Sequence, residues 1–378
     1  MSGSDRAANA LASPRPHRRA HRGPVRVTSG DWRAGVRARV GAHLSDFVTT
    51  RCLAELGESN VEVAGDVLSQ FVDGGKYVRS TFMYVGWLCG ASDDEAALRA
   101  SASLELLHAF ALIQDDVMDE SALRRGRPSA HVAFERWHRD RRLTGSSTRF
   151  GESAAVLLAD LCLVWAAKML RESGIGAEAL ARVRPGYDDM RVELAVGQLA
   201  DLNNDAQSFP SFDEVLDVLR RKSGNYTVRR PLEIGAAMAG CAPEVIDALG
   251  GYGAAIGEAF QLRDDVLGVI GSPDVTGKSV GTDLVAQKAT SVVVAAHQLA
   301  DSGLRRQLAD LMSSPALTPA DAEHWQSLII ASGALEWIEH RIDERLTQAV
   351  ECLAHAGISP TTRTALEDMA VYCTERAA

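Results

Sequence analysis

Three aspartates fall within five positions, at Asp115, Asp116 and Asp119, and two arginines, Arg124 and Arg125, follow shortly after. On a helix, side chains four apart lie one turn above each other, so Asp115 and Asp119 share a face and Asp116 is turned about 100° aside. Two stacked carboxylates repel unless a cation stands between them. Mg²⁺ suits that gap, because it takes oxygen ligands, keeps several waters and commonly joins one or two carboxylates to substrate phosphates. A D-D-x-x-D run is also what a solvated acidic helix face looks like. Here the preceding turns, "LELLHAFALI", are strongly apolar, so the acids sit where a core helix emerges.

A second cluster repeats the pattern. In "EAFQLRDDVLGVIGSPDVTGKSVGTDL" (258–284), Asp264 and Asp265 end another apolar helix, with Gln261 a turn earlier on the same side. Lys278 in a Gly-rich loop, Asp283 and Lys288 come next. A third element, "DGGKYVRS" (73–80), offers Lys76 and Arg79 after a pair of glycines. Arg forks onto phosphate oxygens while Lys acts as a point charge. Together the three elements point to a pocket for two polyanionic groups, one held through metal and one held directly by cations.

The elements that must position these residues are helices. From residue 31, apolar residues recur every three to four positions, as in "DEAALRASASLELLHAFALIQDDVMDE", and no sustained alternation of the strand type occurs. Breaks such as "GASDD", "GSSTRFG" and "NNDAQSFPS" separate helix from helix, which predicts one all-α domain over 31–378. No repeat of fixed period argues for a solenoid. Residues 1–30 are rich in Arg, Pro, Gly and Ser, lack a signal-peptide core, and read as a disordered basic tail.

Composition bounds the function. A chain of 378 residues with 46% hydrophobic and 24% charged residues is an ordinary globular protein, and a net charge of −10 argues against a nucleic-acid binder. The six cysteines are scattered, with neither zinc spacing nor a disulfide framework. The longest apolar stretch (154–170) carries Asp160 and Lys168 and falls short of a membrane span. It reads as a core helix, and the expectation is a cytoplasmic protein without stable membrane insertion.

The segments "GGKYVR", "LLHAFALIQDDVMDESALRRGRPSAH", "GQLADL", "RRKSGNYTV", "FQLRDDVLG" and "TGKSVGTDLVAQKAT" occur in an order that resembles the trans-isoprenyl diphosphate synthases. That resemblance implies antiparallel helices around a deep central cavity, usually in a homodimer. It also implies Mg²⁺-dependent condensation of isopentenyl diphosphate with an allylic diphosphate, with up to three ions per site. Carried over residue by residue, Asp115 and Asp119 would hold two ions, supported by Asp116, and Asp264 a third. Arg124, Lys222, Lys278 and Lys288 would meet the allylic diphosphate, and Ser223 and Gln261 would line the reacting carbons. Lys76, Arg79, His108 and Arg125 would bind isopentenyl diphosphate.

Some positions depart from the family pattern. Tyr77 stands where a basic residue is common, Ser80 where Pro is common, Gly268 where an aspartate closes the second motif, and Ser223 where Thr is common. For product length, a tail anchored at Asp115 runs toward the start of the same helix. Ala111, one turn below, leaves that path open, whereas Phe110 is placed to cap the tail from the side. The expected product is geranylgeranyl diphosphate (C20), with farnesyl or C25 and longer products as alternatives. A class I terpene cyclase would need a second Asn/Asp, Ser/Thr, Glu metal motif, and none occurs after residue 170. A non-catalytic partner subunit would usually lose the aspartate motifs, and both D-D pairs remain.

Overall fold

The computed structural model describes residues 30–205, 209–270, 282–285, 287–314 and 317–375. The expected basic tail up to residue 29, and Lys278, lie outside the described residues, and Gly30 already belongs to the first helix. As the periodicity predicts, the chain is all-α. It begins with α1 (Gly30–Phe47), which passes through the π-wound turn Val48–Cys52 into α2 (Leu53–Gly57), followed by α3 (Val63–Val72) and α4 (Val78–Leu88). Then come α5 (Glu95–Met118), α6 (Ala130–Asp140), α7 (Ser147–Arg171), α8 (Ala177–Asp205), α9 (Phe212–Leu219), α10 (Arg230–Ala239) and α11 (Pro243–Ile270). Shorter helices, including Ser291–Leu299, and the longer Ala334–Leu353 complete the bundle.

Helix α5 is the spine of the first core. Asp94 caps it by accepting from Ala97 N–H at 2.8 Å, satisfying a donor the first turn leaves open. Leu98, Leu104, Leu106, Leu107 and Ile113 are fully buried along it. It packs on α7, α4 and α1. A second core joins α11 to Ser291–Leu299 and Ala334–Leu353.

Two local departures from regular geometry position cationic side chains. The run from α9 to α10 is one continuous helix whose middle, Arg220–Arg229, is π-wound. Pro231 lies just beyond it and has no N–H to give Thr227 an α-type bond, which is where such widened turns occur. After α5, Leu123–Arg124 and Arg127–Pro128 form a minimal antiparallel hairpin. Its two loop residues, Arg125 and Gly126, both have positive φ, at 52° and 74°, the geometry a two-residue hairpin requires. Glycine adopts it freely; Arg125 is strained there.

Candidate active site

Asp115 and Asp119 occupy the last turn of α5 and its C-cap, and Asp119 N–H donates to Asp115 O at 2.9 Å, so the two carboxylates are stacked as the spacing predicts. A helix C-terminus carries partial negative charge and disfavours acids. The compensation comes from three cations on separate parts of the chain. Arg124 on the hairpin donates from Nε to Asp116 Oδ1 at 2.8 Å and reaches Asp115 Oδ2 at 3.4 Å. Lys222 Nζ lies 3.0 Å from Asp115 Oδ1 and 2.6 Å from Asp201 Oδ2. Lys288 pairs with Asp119.

The electrostatics reflect this arrangement. Burial pushes the Asp115 carboxyl up, but Lys222, Arg124 and Lys288 outweigh it and hold it below the usual carboxylate range. For Asp116, burial wins over the Arg124 hydrogen bond and raises the carboxyl. Its Oδ2 is buried with no hydrogen-bond partner. Burial disfavours the Lys222 and Lys288 charges, yet their carboxylate partners raise both. The cluster is thus built to keep Asp115 ionised beside a charged lysine.

Backbone packing fixes where Lys222 stands. Gly197 on α8 lies against the π-wound segment so closely that a Cβ there would be 2.5 Å from Lys222 N. On the other side, a Cβ at Gly257 of α11 would be 2.6 Å from Gly224 O. The segment bearing Lys222 and Ser223 is therefore clamped between two helices at glycines. Glu258 adds a charged clasp, accepting from Arg220 Nε at 3.2 Å and from Arg345 Nε at 2.8 Å.

Two cavities flank the aspartates. One, of about 190 Å³, is lined by Asp201, Lys222, Ser223, Gln261, Asp265 and Lys288, among others. It brings together Lys222, Ser223, Gln261 and Lys288 of the expected allylic-side residues. Asp265 is fixed there by Ser291, whose N–H and Oγ donate at 2.9 and 2.6 Å. Asp264 is half-buried beside it on α11. The other cavity, of about 290 Å³, is lined by Gln70, Phe71, Leu112, Arg124, Arg125 and Arg127, among others. Arg124 thus serves both sides, since it lines this cavity while bonding to Asp115 and Asp116.

Two of the expected isopentenyl-side residues, Arg79 and Arg125, act on a carboxylate that the motifs did not flag. Glu105, 6% exposed, accepts from Ser80 N–H at 3.3 Å and Ser80 Oγ at 2.6 Å. Burial raises its carboxyl, against the opposing pull of Ser80, Arg79 and Arg125. Arg79 stacks 4.5 Å from the Tyr226 ring centroid, and its Nε has no hydrogen-bond partner. Burial and the charges of Arg79, Arg125 and Arg124 push His108 well below the usual histidine range, so it is neutral. Its Nδ1 is also unpartnered. Lys76 is exposed at the approach to α4.

Tyr77 turns inward. Its φ of 49° swings the ring beneath Gly41 and Gly75, and its hydroxyl donates to Val72 O at 3.0 Å. The buried ring shapes the entry to α4. Ser80 supplies two donors to Glu105, its N–H and its Oγ, neither of which a proline has. Phe110 and Ala111 are half-buried against the first core.

Sequence reasoning missed Asp201, Glu105 and Arg127 as site residues. Asp201 stood in the quoted "GQLADL", and Arg127 pairs with Arg124 across the hairpin register. Glu105 offered only a lone acid in an apolar run.

As to metal, no group of three or more His, Cys, Asp or Glu side chains converges on one point among the described residues. Stacked Asp115 and Asp119, with cations ready to receive phosphate, fit instead a hard ion whose shell is completed by substrate and water. The donor set is therefore compatible with Mg²⁺.

The polyprenyl synthetase family model matches residues 61–329. A geranylfarnesyl diphosphate synthase from Aeropyrum pernix is 31% identical over 320 residues, covering 83% of this chain and 94% of its own. A (2E,6E)-farnesyl diphosphate synthase from Mycobacterium tuberculosis is 30% identical over 310 residues, covering 80% of each. The crystal structure of a geranylgeranyl pyrophosphate synthase from Corynebacterium glutamicum, complexed with isoprenyl diphosphate and magnesium, superposes with a TM-score of 0.84 at 36% identity. That match covers 93% of this chain and all of the other.

Proposed function

The chain belongs to the polyprenyl synthetase family, and from that premise we propose that it condenses isopentenyl diphosphate with allylic diphosphates to give geranylgeranyl diphosphate. The observation that carries this reading is the ring of Arg124, Lys222 and Lys288 around stacked Asp115 and Asp119.

In this reading Lys222, Lys288 and Arg124 orient the allylic diphosphate and stabilise the negative charge that grows on it as its C–O bond breaks. Mg²⁺ held by Asp115, Asp119 and Asp264, with Asp116 in support, would supply further positive charge to the leaving diphosphate. Lys278 completes that side from outside the described residues. Arg79, Arg125, Lys76 and neutral His108 hold isopentenyl diphosphate without metal, and its double bond attacks the allylic cation. Ser223 and Gln261 line the reacting carbons. The proton then lost goes to the departed diphosphate, so no protein nucleophile is needed.

The C20 length rests on the small Ala111 beneath Asp115 and on Phe110 at its side. A longer, C25 product is the second reading, favoured by the Aeropyrum pernix relative and its name. We also read the chain as a cytoplasmic homodimer with its catalytic domain over 31–378. In support, α7 exposes Leu157, Leu161 and Val164, and α8 exposes Val192, Val196 and Leu199, each set on one face. Exposed apolar faces of this kind suit a partner copy. By length and composition α5 and α7 each reach a membrane-spanning hydropathy, but they pack against each other in the bundle.

The test is Asp115→Ala. Loss of condensation by about a hundredfold or more, with the fold and dimer retained, is the result expected for an enzyme. Unchanged condensation would remove Asp115 from the mechanism.

A further inference from the structure

Outside the active site, a groove of about 700 Å³ lies among the start of α9, the end of Ser291–Leu299 and the first turns of Ala334–Leu353. Its size is that of a small-molecule site. Two ring pairs line it. Phe209 stacks on His297 with centroids 4.0 Å apart and planes 15° apart, and Phe212 meets Trp337 edge-on at 4.9 Å. Flat aromatic walls of this kind favour a flat or apolar ligand body.

The groove also carries an excess of positive charge, with Arg305 and Arg341 against Asp213 in its lining. The Arg341 guanidinium lies 5.3 Å from the Trp337 centroid and 5.7 Å from that of Phe212. Among the described residues no acceptor comes within hydrogen-bonding range of it. Its nearest carboxylate, Glu258 at 3.6 Å, already takes Arg220 and Arg345. One carboxylate therefore faces three guanidiniums. Arg305, also at the groove, spends its donors on the carbonyls of His297 and Ala300, and adds its charge. Asp213 is the opposing acid in the lining. A guanidinium with fork geometry and open donors is an anchor for one anionic group.

The groove shares its walls with the active site. Helix α9 has Phe212 at the groove and Val215, Val218 and Leu219 at the cavity that holds Lys222. Ser291–Leu299 runs the other way, with Lys288 to Thr290 at the cavity before its first turn, and His297 and Gln298 at the groove. At about 1.5 Å per residue these are rigid rods of roughly 12–14 Å. The cavity end of the second rod holds Asp265 through Ser291, and Lys288 beside it pairs with Asp119.

We propose that this groove binds a small planar organic anion, with its ring against the Phe209–His297 and Phe212–Trp337 pairs and its anionic group on Arg341. Occupancy is coupled to the diphosphate site through α9 and Ser291–Leu299. The binding claim is independent of the catalytic reaction.

The test uses the full chain and 8-anilinonaphthalene-1-sulfonate, a monoanion with a flat naphthalene ring, followed by its fluorescence. One saturable site per chain is expected. Gln298→Trp, which fills the groove from an exposed position, and Trp337→Leu, which removes a wall, each weaken binding by about tenfold or more. Saturating inorganic pyrophosphate with Mg²⁺ shifts the probe affinity without abolishing binding, and the probe shifts pyrophosphate affinity by the same factor. Equal affinity in the wild type and both variants overturns the site. Complete competitive displacement by pyrophosphate places the probe in the active site and overturns it too, while no shift overturns the coupling. A chain inactive on prenyl diphosphates that still binds the probe here would remove the proposed reaction and leave the groove.

Discussion

Lys222 Nζ, 3.0 Å from Asp115 Oδ1, is held on its other side by Asp201 Oδ2 at 2.6 Å, so one ammonium bridges carboxylates from two helices. Asp201 thereby shares a cation that Asp115 would otherwise hold alone. Asp201→Asn leaves Lys222 fully committed to Asp115, where it competes with metal. The expected result is a several-fold rise in the Mg²⁺ concentration needed for half-maximal condensation, with thermal stability little changed. A Mg²⁺ titration of both proteins checks it; superimposable curves would show that Asp201 does not tune the site.

Ser80 and Glu105 form the second relationship that can be tested alone. Ser80→Ala takes the 2.6 Å hydroxyl donor from a buried carboxylate, a loss of about 1–3 kcal/mol. Because Glu105 lies among Arg79 and Arg125, the KM for isopentenyl diphosphate is expected to rise while that for the allylic diphosphate stays. Equal changes in both KM values would mean a general loss of structure.

The neutral state of His108 sets a pH dependence. Its folded-state pKa lies well below the ordinary value of 6.5 because of burial and neighbouring arginines. The unfolded chain therefore takes up a proton below pH 6.5 that the native state refuses, and stability falls as pH drops through that value. At about one pH unit lower, this contributes on the order of 1 kcal/mol. His108→Gln is expected to lose less melting temperature than the wild type between pH 7.5 and 5.5; parallel losses would contradict it.

Much of this architecture was legible in the sequence. The stacking of Asp115 on Asp119 comes from helical spacing alone, and the apolar run before them announces a buried helix. What spacing cannot show is which distant residue meets which. Lys222 reaches Asp115 across 107 positions, and Ser80 reaches Glu105 across 25. Tyr77 read as a missing cation because its left-handed backbone, which turns the ring inward, leaves no mark in the sequence. The π-winding at Lys222 was equally hidden, since apolar periodicity does not separate it from an α-helix over so short a run. Lys278 was named from its Gly-rich loop and lies outside the described residues.

Phe110 bears on chain length separately from the chemistry. Phe110→Ala, with Ala111 already small, is expected to shift products beyond C20 at little cost in rate. An unchanged product distribution would leave Phe110 as a packing residue.

The most direct test of the central claim is mass spectrometry of what the purified chain makes from isopentenyl diphosphate and farnesyl diphosphate with Mg²⁺. A C20 diphosphate is expected, formed by one C5 addition and lost on chelation of the metal. Absence of any diphosphate longer than the primer, from farnesyl, geranyl or dimethylallyl diphosphate alike, would contradict it.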